Sequence, residues 1–146
     1  MDTSKQYIKM CEKAGEIQGL CKYESGDFLV SVFNPVEVLG DFIKISSSQA
    51  TSGGYDYDFY DVNWEAFLWL PRQDQLQEIV QGEKHSHLLV HEFALWCHGG
   101  EEFGRRIIAF PCCDWSMNQL WLGFVMHRLY NKVWNGEDWV LVWEEE

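Results

Sequence analysis

Between His85 and Cys113 the chain gathers His85, His87, His91, Cys97, His98, Cys112 and Cys113, all soft or borderline metal donors, within 29 residues. Imidazole and thiolate are the donors zinc takes, and on a helix His87 and His91 share one face, so that one ion can sit between them. The spacing departs from the strong zinc patterns. His91-Glu92 is not followed by a second His three residues on, which removes the metalloprotease motif, and no Cys-x-x-Cys pair occurs. Cys112 and Cys113 are adjacent, a spacing rarely used around a tetrahedral ion. The competing reading is a set of surface histidines and packed thiols. No cofactor is assigned on this basis, zinc being the one candidate.

Nucleophilic catalysis needs a Ser or Cys within hydrogen-bond reach of a base, and Cys97-His98 or Cys112-Cys113 beside a folded His can pose as such a pair. Sequence neighbours orient each other poorly, and no nucleophile elbow is present, so no catalytic residue is assigned and the reading leans away from an enzyme. Asp56, Asp58 and Asp61 offer oxygen donors to a hard cation but lack the calcium-loop pattern and its turn glycine. They read first as a solvated acidic strand. Gly99-Gly100 is not followed by the Gly-Lys-Ser/Thr of a phosphate loop, and Arg105-Arg106 is too small for a nucleic-acid footprint.

What remains is acidic and aromatic. Asp56, Asp58 and Asp61 alternate with Tyr55, Tyr57, Phe59 and Tyr60, and Trp134, Trp139 and Trp143 crowd the C-terminal end. Trp134 and Trp139 suit a cross-strand pair packed on a helix, or one face of a docking surface. With Asp56, Asp58 and Asp61 they are the candidate partner-binding residues. A formal charge of −12 over 146 residues repels phosphate backbones and anionic membrane surfaces, and attracts basic protein partners. Direct nucleic-acid binding and membrane association are therefore not expected. The same charge admits a nucleic-acid mimic that occupies the site of a DNA-binding protein.

The elements that must position these residues are legible to different degrees. Thr3 or Ser4 caps a first helix whose dry face is Tyr7, Met10, Cys11, Ala14 and Ile17, ending near Gln18 before Gly19. Asp27 to Phe33 and Val36 to Ile45 read as two strands of a hairpin, and Ser46 to Gly54 as an exposed, flexible loop. A strand from Trp64 to Leu70 precedes Pro71 and a short helix over Gln73 to Val80, its buried side Leu76, Ile79 and Val80. His87 to Trp96 reads as a helix with Leu88, Leu89, Phe93 and Trp96 facing inward, a strand being the competing reading, and Arg105 to Phe110 as a short strand.

The stretch from Asp114 to Trp143 organises the rest. Ser116 and Gln119 form a capping box, and Leu120, Trp121, Phe124, Val125 and Leu129 a helical face that Met117 and Leu122 widen. Asn131 and Lys132 close the helix, and Asn135-Gly136 predicts a type I′ turn between Val133-Trp134 and the strand from Asp138 to Val142. Glu144 to Glu146 is an acidic tail. These elements predict a single α+β domain over residues 1–146, an antiparallel sheet against three or four helices, the last helix running into a β-hairpin.

Two strings, WLPRQDQLQEIV and SMNQLWLGFVMHRLYNKVWNGEDWV, resemble small proteins encoded in bacteriophages and prophages of Gram-positive bacteria. In that group a Trp-Leu-Pro segment precedes a Gln-Leu-Gln helix, and a later Gln-Leu-Trp-Leu helix runs into a Trp-x-Gly hairpin. Trp69, Leu70, Pro71, Gln75, Leu76 and Gln77 match the first motif, and Gln119, Leu120, Trp121, Leu122, Trp134, Gly136 and Trp139 the second. The resemblance implies a phage-type origin and a cytoplasmic setting, and carries over no catalytic residue. The cytoplasm also suits five cysteines without a spaced disulfide framework. The expected function is a non-enzymatic accessory protein that binds an unidentified protein partner through an acidic, aromatic-rich surface. The alternatives are a small zinc-binding protein and an acidic nucleic-acid mimic.

Overall fold

The computed structural model describes residues 1–24, 26–31, 42–45, 49–52, 55–58, 66–98 and 114–142, with 42–45, 49–52 and 55–58 described by backbone and register. The fold is α+β, and the chain divides into two compact units, Thr3–Arg72 and Met1–Asp2 with Gln73–Glu146.

The first unit begins with α1 (Lys5–Lys13), whose start is fixed by the Ser4 hydroxyl accepting from the Tyr7 amide at 3.2 Å. Tyr7, Met10, Cys11, Ala14 and Ile17 are all fully buried, the expected dry face. Burying a side chain of the size of Met10 or Ile17 stabilises the fold by about 1.5–3 kcal/mol. The helix does not run unbroken to Gln18. It stops at Ala14, which leaves helical geometry at φ −93° and ψ 65°, and restarts as α2 (Gly15–Gln18). Gly15, with the least helical propensity short of proline, follows the break and lowers its cost.

Five antiparallel strands follow: β1 (Phe28–Ser31), β2 (Phe42–Ile45), β3 (Gln49–Ser52), β4 (Tyr55–Asp58) and β5 (Phe67–Leu70), in the spatial order β4-β3-β2-β1-β5. The β1–β2 hairpin agrees with the two apolar runs of the sequence, and Phe28 stands opposite Lys44. Within the segment from Ser46 to Gly54, the described residues Gln49–Ser52 depart from the expected loop. Gln49–Ser52 pairs with β2 on one side and β4 on the other. A polar composition gives no hydrophobic signal for a strand, yet backbone pairing on both sides holds it in the ladder. Asp56 and Asp58 lie in extended β4, opposite Thr51 and Gln49.

Among the described strands β5 is an edge, and backbone groups on its outward side are met by a side chain. The Gln18 amide oxygen accepts from the Trp69 N–H at 2.9 Å, and its nitrogen donates to the Trp69 carbonyl at 2.9 Å. One glutamine so occupies the two positions at which another strand would pair. The Tyr7 hydroxyl donates to the Pro71 carbonyl at 2.5 Å, tying α1 to the end of β5.

The second unit holds α3 (Gln73–Gln81), α4 (Ser86–Cys97), α5 (Met117–Tyr130) and a two-stranded hairpin, β6 (Lys132–Trp134) and β7 (Trp139–Leu141). The region from His87 to Trp96 is helix rather than strand. Among the described residues no helix is long and apolar enough to cross a membrane. The predicted strand over 105–110, Asp61, Cys112, Cys113, Trp143 and the tail 144–146 lie outside the described residues.

Helix α5 starts on the predicted capping box: the Ser116 hydroxyl accepts from the Gln119 amide at 3.2 Å, and the Gln119 side chain accepts from the Ser116 amide at 3.3 Å. The Ser116 hydroxyl also donates to the carboxylate of Asp2, which places negative charge at the helix start. Trp121, Leu122, Phe124, Val125 and Met126 are buried. Leu129 and Met117, assigned to the buried stripe by periodicity, are instead 47% and 49% exposed. The helix packs nearly all round through its middle turns, so a one-face reading misplaces its ends.

Candidate binding surface

The C-terminal hairpin is built from the end of α5. Asn131 adopts the left-handed conformation at φ 52° and ψ 41° and caps the helix, as asparagine does at low cost. The Val142 amide donates to its carbonyl at 2.8 Å, and its own side-chain amide donates to the Val142 carbonyl at 3.2 Å, closing the open end of the hairpin. Trp134 and Trp139 face each other in register with ring centroids 5.1 Å apart. The pair predicted across the strands is therefore formed.

The turn that joins them is not type I′. Such a turn needs positive φ at both central residues, and here Gly136 has φ +103° while Asn135 does not. Instead the Asn135 side-chain oxygen accepts from the Glu137 and Asp138 amides at 2.9 and 2.8 Å. That side-chain turn spreads the loop over Asn135 to Asp138 and leaves Glu137 and Asp138 exposed at its tip. Trp139 is 6% exposed and inside, Trp134 is half-buried, and Leu141, two residues beyond Trp139, is 50% exposed. Of the two tryptophans proposed to dock a partner, Trp134 alone offers surface.

Among the described residues, most other aromatic rings of this unit are consumed by its core. Phe93 of α4 stacks on Trp121 of α5 at 3.9 Å and 5°, and Phe124 meets Phe93, Trp96 and Trp121 edge-on at 5.5 to 5.7 Å. Offset and edge-to-face pairs add about 0.5–1.5 kcal/mol beyond the area they bury. Gly123 makes this packing possible: a Cβ there would stand 2.9 Å from the Trp115 ring and 3.0 Å from that of Trp96. The core leaves part of α4 uncovered. Leu89, Phe93 and Trp96 are buried, but Leu88, expected to face inward, and Val90 are 46% and 57% exposed.

A charged bridge locks α4 to α5. Glu92 accepts from Lys84 at 2.8 and 3.0 Å and from Arg128 at 2.6 Å. Lys84 first, then Arg128, hold its carboxyl below the usual carboxylate range. His127, half-buried beside Trp96, is held below the ordinary histidine value by burial and then by neighbouring Arg128. In the other unit burial, aided by Asp27, pushes the Cys21 thiol up to about 12, so that it remains protonated and is a poor nucleophile.

The proposed metal donors are only partly brought together. His85, His87, His91 and His98 are exposed and Cys97 is half-buried, and no group of three or more His, Cys, Asp or Glu side chains among the described residues converges as a metal cage. His85 and His87 stack with centroids 5.8 Å apart and 13° between planes. His87 and His91 fall one turn apart on α4, as their spacing predicts. The side chains of Asp56 and Asp58 lie outside the described set. Sequence reasoning missed Leu88, Val90 and Leu141 as surface residues, since apolar type alone signals core. No family model, curated protein or solved structure matches this chain.

Proposed function

We propose that the protein is a non-enzymatic accessory protein, of the phage or prophage type its sequence resembles, that binds a basic protein partner in the cytoplasm through the C-terminal hairpin. The observation that carries this reading is the half-buried Trp134, backed by buried Trp139, beside the exposed Glu137 and Asp138 and the exposed Leu141. A ring held in place by a second ring loses little freedom on docking, and tryptophan is enriched among the residues that dominate interface energy. The exposed carboxylates at the loop tip supply the polar rim, and the charge of −12 steers a basic partner toward the chain.

The test compares capture by the wild-type chain with capture by Trp134→Ala and by Glu137→Lys/Asp138→Lys, from nuclease-treated bacterial lysate at low and high salt. One protein is expected to be retained by the wild type at low salt, released at high salt, and lost with both variants. Titration of that purified protein should then show Trp134→Ala weakening binding by about 2 kcal/mol or more, the size of a central aromatic contact. Equal retention by wild type and variants removes the hairpin from the interface and defeats the proposal.

A further inference from the structure

We infer that His87 and His91 form a two-ligand site for a divalent transition-metal ion on the solvent face of α4. Leu89, Phe93 and Trp96 mark the inner row of this helix, all buried. Half a turn away, residues 87, 91, 94 and 98 make the outer row, and His87, His91, Ala94 and His98 are all exposed. Side chains four apart on a helix start with Cβ atoms about 5–6 Å from each other. An ion held about 2.0–2.1 Å from each imidazole nitrogen needs those nitrogens about 3.3 Å apart in tetrahedral geometry, which two rings reach by leaning together.

The neighbouring groups define the rest of the coordination. Glu92 adjoins His91 in sequence, but its carboxylate is engaged by Lys84 and Arg128. His98 lies seven residues beyond His91, about 10 Å along a helix axis at 1.5 Å per residue, too far to share an ion. His85 caps the helix start and stacks on His87 with 13° between ring planes, off the row that His87 shares with His91. The remaining positions on the ion are therefore open to water and exchangeable ligands. Two imidazoles select Zn2+, Ni2+, Co2+ or Cu2+ over Mg2+ and Ca2+, which prefer oxygen.

The probe is Co2+ alone, titrated into the full tag-free chain while imidazole ring protons are followed by NMR. His87 and His91 should broaden at lower Co2+ than His98 and His127, with His85 following them because its ring stacks on that of His87. Loss of an outer-shell partner already costs about 10–100-fold in metal affinity, so His87→Gln or His91→Gln should raise the required Co2+ at least tenfold. Both side chains are exposed, and circular dichroism checks that the variants stay helical. In parallel, Zn2+ should raise the Tm of the wild type and raise it less in the double variant, because the paired site exists only in the helix. Uniform broadening of all five histidines, no broadening at all, or a titration unmoved by the double substitution would each overturn the site.

Discussion

Gly123 shows how much one missing methyl group decides. In the middle of a helix a glycine costs about 1 kcal/mol relative to alanine, so its presence in α5 calls for a reason in packing. The reason is two indole rings, Trp96 and Trp115, that come within 3.0 Å of where a Cβ would stand. Trp96 is 2% exposed and packs against Phe93 and Phe124 on its other sides. Overpacking of this kind costs about 1–3 kcal/mol, which offsets or exceeds the gain in helix propensity. Gly123→Ala should therefore destabilise the protein by about 0–2 kcal/mol in urea titration, the net of the two effects, and Gly123→Val by more. An alanine variant more stable than wild type would show that the rings yield freely.

The element that repays attention is the edge strand β5 with the glutamine that closes it. Gln18→Ala strips the Trp69 N–H and carbonyl of their partners, and leaving such groups unmet costs about 1–3 kcal/mol. It also frees an edge for pairing, so the variant should self-associate at concentrations where the wild type stays in its own state, as sedimentation velocity can measure. Unchanged stability and unchanged sedimentation would mean that water replaces the amide at no cost. Elements of this chain were legible where local chemistry specifies them. The Ser4 cap, the buried row from Tyr7 to Ile17, the Ser116–Gln119 box and the Trp134–Trp139 pair all follow from side chains near in sequence. Strand β3 and the Gln18 clamp were not legible: β3 is polar and is held by backbone pairing with its chain neighbours β2 and β4, which side-chain type does not signal, and Gln18 is set by Trp69, 51 positions away. The binding surface was half legible for the same reason. Apolar type marks Leu88, Val90 and Leu141 for a core that, once Phe93, Trp121 and Phe124 are stacked, has no place for them.

At the scale of the whole molecule, acid should weaken the fold in two windows. His127 has a folded value below the ordinary 6.5, so its contribution is present above that pH and lost as pH falls through the depressed value. Glu92, held below 4.5 by Lys84 and Arg128, follows the same sign in the lower window. Urea midpoints measured against pH should decline below about 6.5 for the wild type. His127→Gln should flatten the upper decline and Glu92→Gln the lower. A decline that neither substitution alters would assign acid sensitivity to other groups. The bond between Asp2 and Ser116 spans 114 positions of chain, and the residues between Asp2 and Gln73 belong to the other unit. During synthesis Asp2 leaves the ribosome long before the hydroxyl it will hold exists, so the unit that contains it is the last to be completed although its first residues are made first. The intervening unit is an insert in the topological sense. A recombinant chain that joins Asp2 to Gln73 through a linker would keep this carboxylate on the Ser116 hydroxyl, whereas a simple truncation at Gln73 would remove it and leave the capping box to start the helix alone.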